Sequence, residues 1–476
     1  MKNKTGIKVW AFTLIFLLFS AFQVFPQEFA LGAILDSETY NRLPQKAVLS
    51  TRAYNALPPT VSLKQYSPIP GNQTPYGTCV AWASAYAART ISESIAINRR
   101  ERSLSTDNVF SPAYIYMNIT DDPDCQSGAM IFWALDLMKN TGAVKMLESE
   151  RDLDFRKINR DSFTESRKYP IADYVTLFRN DEERGSNRPS RIQMVKKSLA
   201  EKKPVIIGMN TPESFLNAQD VWRPRENPGY HYGGHAMCVV GYDDTRFGGA
   251  FEVQNSWGKK WGNGGYMWIP YEAFGQWVME AYEIIENFAV FDETNQYSGF
   301  AQIELADSAD GLPHQMPVAF AEEGYYRTTE SYSSGTEFRF HLGNTSPAYV
   351  YVFAADSSGS PSTQIFPPRE RGISPILDYA ENTIVLPGER EWIRMDEITG
   401  TDYLIILYSK QSIPIETIRR RFDQAQGSFP QRVAAAVGPD FIPSNNASYD
   451  GHEIRFDVKS ENSKAVFGLL LAIDHK

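Results

Sequence analysis

Three polar residues far apart in the chain have side chains that could act together as nucleophile, base and orienting group. Cys79 begins the apolar run CVAWASAYAARTI, His235 begins HAMCVVGYDD, and Asn255 lies between a β-prone run and a glycine-rich turn. The helix dipole favours the thiolate form of a cysteine at a helix N-terminus. A cysteine nucleophile needs a histidine to accept its proton, and that ring needs a hydrogen-bond acceptor to hold its tautomer. Cys79, His235 and Asn255 fit this requirement in type and in order.

Each of these residues also has a structural reading when it is taken alone. Cys79 could be a small apolar residue that starts a buried helix, because free cysteine is among the most buried residue types. His235 could be a core histidine with satisfied hydrogen bonds, and Asn255 could be a turn residue. The wider sequence context is needed to choose between the readings.

Three ordered blocks supply that context. The stretches NQTPYGTCVAW, GGHAMCVVGYDD and VQNSWGKKWGNGGYMWI resemble the signature blocks of the papain-like cysteine peptidases. The resemblance covers about residues 57–288. It implies an α+β, papain-like two-lobed fold, with a helical lobe and a β-barrel-like lobe on either side of a catalytic cleft. It also implies hydrolysis of peptide bonds.

The resemblance assigns a role to each catalytic residue. Cys79 would attack the peptide carbonyl, and His235 would be its imidazolium partner. Asn255 would orient the imidazole ring, and the indole of Trp257 would shield the Asn255–His235 hydrogen bond from water. The side-chain amide of Gln73 and the backbone N–H of Cys79 would form the oxyanion hole.

The same resemblance places the substrate. Gly128 matches the glycine whose backbone pairs with the extended substrate, and Trp257 also belongs to the substrate-binding set. The implied partner is a polypeptide substrate. No cofactor is expected, and no metal is expected either, because His314 and His341 show no ligand-like spacing.

The cysteine content departs from that of many relatives. Cys79, Cys125 and Cys238 are an odd number without a CxxC pair, so a disulfide framework or zinc site is not expected. Tyr76 stands where many relatives have a cysteine that pairs with the one aligned with Cys125. The odd count leaves at least one thiol free.

The N-terminal residues are typical of a secretory signal peptide. Lys2, Lys4 and Lys8 precede or flank an uncharged apolar run at residues 9–25. We expect residues 1–27 to be the signal peptide and the protein to be secreted or periplasmic, with an uncleaved membrane anchor as the alternative. The net charge of −10 argues against a nucleic-acid partner.

The remaining segments complete the domain organisation. Residues 28–56 are expected to form a short pro-segment or linker, and residues 57–288 the peptidase domain. Residues 295–476 contain several β-prone runs and one amphipathic helical stretch, IPIETIRRRFDQAQG, which predict a separate β-rich accessory domain. This region resembles an uncharacterised domain at the C-terminus of some bacterial secreted proteins.

The sequence therefore predicts an exported cysteine endopeptidase that acts through an acyl-enzyme at Cys79. Two alternatives stay open. One is a dedicated processing peptidase gated by its C-terminal domain, and the other is a non-catalytic peptide-binding protein that reuses the fold. A cell-surface or protein partner for the C-terminal domain is a further expectation.

Overall fold

The computed structural model describes residues 29–147, 150, 169–180, 190–286, 296–306, 314–321, 324–369, 372–379, 382–449, 453–462 and 465–476. The predicted signal peptide lies outside these ranges. In the part of the chain that the structure describes, no helix has both the length and the apolar character needed to cross a membrane.

The α-helices that the structure describes between residues 29 and 286 are α1 (Ser37–Arg42), α2 (Thr51–Asn55), α3 (Cys79–Ala81), which continues as a π-helix over Trp82–Arg89, α4 (Thr90–Ala96), α5 (Arg102–Asp107), α6 (Pro112–Ile119), α7 (Ile131–Asn140), α8 (Arg191–Ala200), α9 (Glu213–Leu216) and α10 (Tyr271–Trp277). The helices from α3 to α7 pack on one another and form one lobe, whereas α8 and α10 pack on the strands of the second lobe. The predicted helix at Cys79 is confirmed. It is buried on nearly every face, as its run of alanines and aromatics indicates.

The second lobe is built on one antiparallel sheet. Its strands are β1 (Thr60–Ser62), β2 (Asp173–Thr176), β3 (Val205–Asn210), β4 (Gly234–Asp243), β5 (Ala250–Gln254), β6 (Tyr266–Pro270) and β7 (Val278–Ile285). The strand order is β2-β7-β3-β4-β5-β6, with β1 paired to β4. The helix that begins at Cys79 packs against β3 and β4. The cleft therefore lies between a mainly helical lobe and a barrel-like lobe.

The C-terminal region is rich in strands. They are β8 (Gln296–Leu305), β9 (His314–Gln315), β10 (Val318–Ala321), β11 (Tyr325–Tyr332), β12 (Glu337–Asn344), β13 (Ala348–Asp356), β14 (Thr363–Phe366), β15 (Ile376–Leu377), β16 (Asn382–Leu386), β17 (Ile393–Arg394), β18 (Gly400–Ser409), β19 (Phe441–Ile442), β20 (Ala447–Tyr449), β21 (Ile454–Lys459) and β22 (Val466–His475). One sheet has the path β10-β11-β22-β18-β13-β14, and the other has the path β16-β12-β8-β21-β20. Tyr408 of the first sheet packs on Phe456 of the second, with ring centres 4.6 Å apart. The two sheets thus form a sandwich.

Two helices cover the outer face of the first sheet. They are α11 (Ile415–Gln424), the predicted amphipathic helix, and α12 (Phe429–Val437). Phe353 of β13 packs edge-on against Phe422 of α11, with ring centres 5.5 Å apart. The fold is α+β, with a two-lobed papain-like part followed by a β-rich part, as the sequence predicts.

Candidate active site

Cys79 is the first residue of α3 and is completely buried. The polar loop before it is fixed by a hydrogen bond from the Gly77 N–H to the Cys125 carbonyl, at 2.8 Å. Burial raises the pKa of the Cys79 thiol to about 11, although hydrogen bonds from the backbone of Ala236 and Gly32 oppose the shift. The thiol is therefore next to β4, the strand that carries His235, and next to residue 32 of the predicted pro-segment.

His235 and Asn255 come from neighbouring strands. His235 is the second residue of β4, and Asn255 follows the last residue of β5. The Nε2 atom of His235 lies 2.7 Å from Oδ1 of Asn255. The backbone N–H of Ser256 also donates to this oxygen, at 2.7 Å. Because a backbone N–H can only donate, Oδ1 is an acceptor, and the proton of neutral His235 is on Nε2.

That tautomer leaves the other ring nitrogen able to accept a proton. Among the described residues, His235 Nδ1 has no hydrogen-bond partner, although it is buried. Burial lowers the pKa of His235 to about 4, although the hydrogen bond that its ring donates to Asn255 opposes the shift. Together with the raised pKa of Cys79, this favours a neutral thiol and a neutral imidazole in the conformation described.

Trp257 covers the imidazole. Its ring centre lies 4.4 Å from that of His235, and the two planes are 22° apart. Trp257 is itself buried, so water has little access to this side of the His235–Asn255 pair. This geometry agrees with the shielding role that the resemblance implies, and that role stays a prediction.

The side-chain amide of Gln73 is held at both ends. Its Nε2 donates to the Tyr76 carbonyl at 2.8 Å and to the Ala30 carbonyl at 3.2 Å. Its Oε1 accepts a hydrogen bond from the Ser256 hydroxyl at 2.5 Å. Because carbonyl oxygens only accept, the Tyr76 and Ala30 carbonyls fix Nε2 as the donor end of the amide. The Ser256 hydroxyl holds the other end, and no sequence pattern singles out this residue.

Residues 29–36, which we call the plug, run through the cleft as an extended chain. The Ala33 N–H donates to the Gly234 carbonyl at 3.0 Å, on the barrel-like side. On the helical side, the Ile34 N–H donates to the Ala129 carbonyl at 2.9 Å, and the Ala129 N–H donates to the Gly32 carbonyl at 2.9 Å. The plug is therefore hydrogen-bonded to both walls of the cleft.

The plug fits the walls closely at two glycines. A Cβ added to Gly32 would lie 1.9 Å from the carbonyl oxygen of Gly77, so only glycine fits where the plug passes the nucleophile loop. A Cβ added to Gly128 would lie 3.1 Å from the Ile34 side chain. Gly128 thus lies beside the plug. The backbone N–H and carbonyl that pair with the plug belong to the next residue, Ala129.

Side chains of the plug fill the cleft on both sides of Cys79. At one end, Phe29 stacks on Trp257 with ring centres 4.7 Å apart. At the other end, Leu35 lies so close to Gly208 and Gly234 that a Cβ on either glycine would come within 3 Å of it. A polypeptide can therefore extend in both directions from Cys79.

The sequence contained only a weak signal for the plug. The stretch EFALGAILD (residues 28–36) is a short apolar run with one glycine between two acids. Such a run is compatible with a strand, but nothing local shows that its partners are Ala129 and Gly234.

The described residues show neither a disulfide nor a metal-binding cluster at this site. Cys79, Cys125 and Cys238 are not joined by disulfides. Within the described ranges, no group of three or more His, Cys, Asp or Glu side chains is placed to hold a metal ion.

A buried thiol next to an amide-oriented imidazole, in a cleft between a helical and a barrel-like lobe, is an arrangement that a cysteine peptidase can use. Residues 64–286 match the model of the papain family of cysteine proteases. Residues 331–412 match a domain of unknown function, DUF4384.

Similar proteins were found among curated sequences and among solved structures. An uncharacterized peptidase C1-like protein of Acanthamoeba polyphaga mimivirus is 31% identical over 214 residues, which make up 42% of this chain and 64% of that protein. The chain thus spans less than two thirds of that relative. Xylellain, a cysteine protease from Xylella fastidiosa, is 21% identical over 55% of this chain and 98% of its own, with a TM-score of 0.43. A procathepsin L 3 of the Tenebrio molitor larval midgut is 16% identical over 53% of this chain and 82% of its own, with a TM-score of 0.38.

Proposed function

We propose that the protein is an exported cysteine endopeptidase that folds in a latent form. The observation that carries the proposal is the course of the plug. It shows that an extended polypeptide passes across Cys79 and continues beyond it on both sides. A cleft that is open at both ends suits cleavage within a chain rather than removal of terminal residues.

The chemistry follows from the donors and acceptors of the site. His235 Nδ1 accepts the proton of the Cys79 thiol, and the thiolate attacks the carbonyl carbon of the scissile peptide. The oxyanion that forms receives hydrogen bonds from Gln73 Nε2 and the Cys79 N–H. His235 then gives its proton to the leaving amine as the C–N bond breaks.

The second half of the reaction uses the same groups. Water attacks the thioester carbonyl, and His235 accepts the proton of that water. The tetrahedral intermediate collapses to release the carboxylic acid and the Cys79 thiolate, which regains its proton from His235. Asn255 keeps Nε2 protonated throughout, so that Nδ1 remains the atom that exchanges protons.

Latency is the second part of the proposal. The Ala30 carbonyl of the plug accepts a hydrogen bond from Gln73 Nε2, the proposed donor to the oxyanion. Ala33 and Ile34 of the plug pair with the cleft walls. It also buries Cys79 and His235, which favours their neutral forms. Both effects oppose turnover until the plug leaves.

Active-site labelling tests the proposal. The full-length protein and the variant Gly32→Ala are treated with an epoxide peptidomimetic that alkylates cysteine peptidases, and the adduct is located by mass spectrometry. We expect slow labelling of wild type and fast labelling of the variant, at Cys79 alone. An internally quenched peptide should then be cleaved by the variant and not by its Cys79→Ser derivative. Absence of Cys79 labelling in Gly32→Ala would favour the non-catalytic peptide-binding alternative.

Export rests on the basic and apolar residues at the N-terminus. Protein expressed with its own leader should be recovered outside the cytoplasm, with a mature N-terminus between residues 21 and 28 by N-terminal sequencing. Retention of residues 1–27 in a membrane fraction would favour the uncleaved anchor.

A further inference from the structure

The pro-segment does not end at the cleft. After the plug and α1, residues 44–51, which we call the strap, run between the peptidase domain and the C-terminal domain. On the peptidase side, the Thr176 N–H donates to the Pro44 carbonyl at 2.9 Å, and the Lys46 N–H donates to the Thr176 carbonyl at 2.8 Å. The strap thus continues the peptidase sheet beyond β2.

The other edge of the strap belongs to the C-terminal domain. The Gln45 N–H donates to the Gly372 carbonyl at 2.8 Å, and the Ser374 N–H donates to the Gln45 carbonyl at 2.7 Å. Farther along, the Ser50 N–H donates to the Thr383 carbonyl at 2.7 Å. Gln45 is fully buried between the two domains.

A buried cluster of charges holds the centre of the strap. Lys46 Nζ donates to Asp378 of the C-terminal domain at 2.6 Å and also to Glu283 of β7. The Tyr379 hydroxyl donates to Glu283 at 2.7 Å, and Lys203 of the peptidase domain pairs with Asp378. The Lys46 ammonium lies 3.3 Å from the ring centre of Tyr379. Removing one member of such a buried cluster leaves the opposite charges without compensation.

The plug and the strap are linked by a short, well-anchored helix. Asp36 caps α1 by accepting the N–H groups of Glu38 and Thr39. Tyr40 of α1 is buried, and its hydroxyl donates to the Ala281 carbonyl at 3.2 Å. Because the link is short, a strap held in place keeps the plug at a high local concentration next to the cleft.

We propose that the C-terminal domain is the clamp of the latent peptidase: by holding the strap, it keeps the plug in the cleft. This inference rests on the proposed function and gives the C-terminal domain a role in it. The largely exposed residues 55–60 join the strap to the peptidase domain. A chain cut there would leave the plug in place, because both domains still bind the strap. Release of the strap from the C-terminal domain is the step that frees Cys79.

The test compares variants of the full-length protein with substitutions at three different sites: the clamp, a control ion pair and the plug. Asp378→Asn removes a clamp carboxylate that touches neither the cleft nor the plug. Asp474→Asn makes the same change at another ion pair of the same domain, where the Asp474 carboxylate binds Arg327 and, among the described residues, forms no ion pair with the pro-segment. Gly32→Ala weakens the plug itself. The readout is the rate of Cys79 alkylation by the epoxide.

We expect Asp378→Asn to be alkylated at least about tenfold faster than wild type, which corresponds to about 1.4 kcal/mol. Asp474→Asn should react at the wild-type rate. Hydrogen exchange at the amides of Ala33 and Ile34 should be faster in Asp378→Asn than in wild type and unchanged in Asp474→Asn. Wild-type rates for Asp378→Asn together with fast labelling of Gly32→Ala would overturn the clamp and leave the proposed function standing. Absence of Cys79 labelling in every variant would overturn the proposed function instead.

A second variant keeps the test decisive if Asp378→Asn does not fold. Glu389 lies on the exposed side of the clamp and accepts a hydrogen bond from the Thr51 N–H at 2.9 Å. Glu389→Ala removes this acceptor and also the acceptor of the Thr51 hydroxyl. It should fold normally and raise the alkylation rate by about two- to fivefold, in line with the modest energy of exposed hydrogen bonds. An unchanged rate in this variant would count against the clamp.

Discussion

The carbonyl oxygen of Ala30 lies 3.2 Å from Nε2 of Gln73, so the proposed oxyanion donor is already in use by the protein's own chain. The next residues of the plug pair with Gly234 and Ala129 in the manner of an added strand. The proposed latency therefore depends on backbone contacts that a substrate would also need, so a change that weakens the contacts of the plug should make the cleft more accessible.

The first prediction concerns the fit of Gly32. A Cβ added to Gly32 would overlap with the carbonyl oxygen of Gly77. Gly77 cannot move freely, because its N–H is hydrogen-bonded to the carbonyl of Cys125. We expect Gly32→Ala to displace the plug and to raise the rate of Cys79 alkylation by about tenfold or more, since a main-chain overlap cannot be relieved by a rotamer change. The measurement is a time course of adduct formation.

Gly275→Ala is the matched control. Gly275 lies in α10, and a Cβ there would meet nothing within 4 Å. It should leave the alkylation rate unchanged. Equal rates for Gly32→Ala and wild type would contradict the idea that the plug limits access to Cys79.

The second prediction concerns pH. In the latent protein the Cys79 pKa is raised to about 11 and the His235 pKa is lowered to about 4, both chiefly by burial. At pH 7 only about one thiol in ten thousand would then be ionised. The alkylation rate of wild type should therefore increase steadily with pH and reach no plateau near neutrality.

Displacing the plug should reverse both shifts. Water then reaches the pair, and the helix N-terminus and the imidazolium stabilise the thiolate. We expect Gly32→Ala to show a plateau of alkylation that begins below pH 7. Coincident pH profiles for wild type and variant, measured from pH 4 to 10, would show that the plug does not control ionisation of the pair.

How much of this site the sequence could predict differs from residue to residue. Cys79, His235 and Asn255 were found because their chemistry requires particular residue types in recognisable surroundings, and the structure brings them to one cleft. The strand and helix runs around them were found because their hydrophobic patterns are local. Ser256 was not found, because only the folded chain shows that its hydroxyl binds Gln73.

The contacts of the plug and the strap could not be predicted, because their partners are far away in the sequence. Only the folded chain shows that Gly32 must be a glycine, because only there does it lie against the carbonyl of Gly77. Lys46 would be expected on the surface, since lysine is seldom fully buried unless it is paired. Its partner Asp378 is 332 positions away, and no local pattern connects them.

The third prediction separates the two roles of Gln73. Gln73→Ala removes a hydrogen bond to the plug and also the proposed donor to the oxyanion. In the intact protein we expect faster alkylation of Cys79, because the plug is held less firmly. In the Gly32→Ala background we expect kcat for a quenched peptide to fall by about 10²–10³-fold, with little change in KM.

Ser256→Ala serves as the comparison for Gln73. It keeps the Gln73 amide but removes the hydroxyl that orients it, so the loss of kcat should be smaller. If Gln73→Ala raised KM and left kcat unchanged, Gln73 would be a substrate-positioning residue only.

The fourth prediction uses the stack of Phe29, Trp257 and His235. Phe29→Ala removes an aromatic contact of the plug and leaves the catalytic groups untouched, and such a contact is worth about 0.5–1.5 kcal/mol beyond area burial. Alkylation of the intact protein should therefore be about two- to tenfold faster. In the Gly32→Ala background, kcat should not change.

Trp257→Ala removes the same contact and also opens the His235–Asn255 hydrogen bond to water. It should accelerate alkylation of the intact protein, as Phe29→Ala does, but it should lower kcat in the Gly32→Ala background. Equal kcat values for the two variants in that background would mean that Trp257 serves only to bind the plug.

The fifth prediction concerns Glu280 of β7, whose carboxylate lies under the plug. It accepts hydrogen bonds from the Asp36 N–H at 3.2 Å and from the Tyr282 hydroxyl at 2.8 Å. Burial raises its pKa from 4.5 to about 7, and the nearby Asp36 carboxylate adds to the shift, while the two hydrogen bonds oppose it. The folded state therefore binds this proton more tightly than the unfolded state does.

Stability should consequently fall as the pH rises from about 4.5 to about 7, by up to about 3 kcal/mol from this group. Glu280→Gln resembles the protonated acid, because its amide can donate to the Tyr282 hydroxyl while its oxygen still accepts from Asp36. The difference in melting temperature between pH 5 and pH 8 should shrink in this variant. Glu150, whose pKa is also raised to about 7 by burial, should keep part of the slope. The exposed Glu272→Gln should leave the slope as in wild type, and an equal slope in Glu280→Gln would show that Glu280 does not hold its proton in the folded protein.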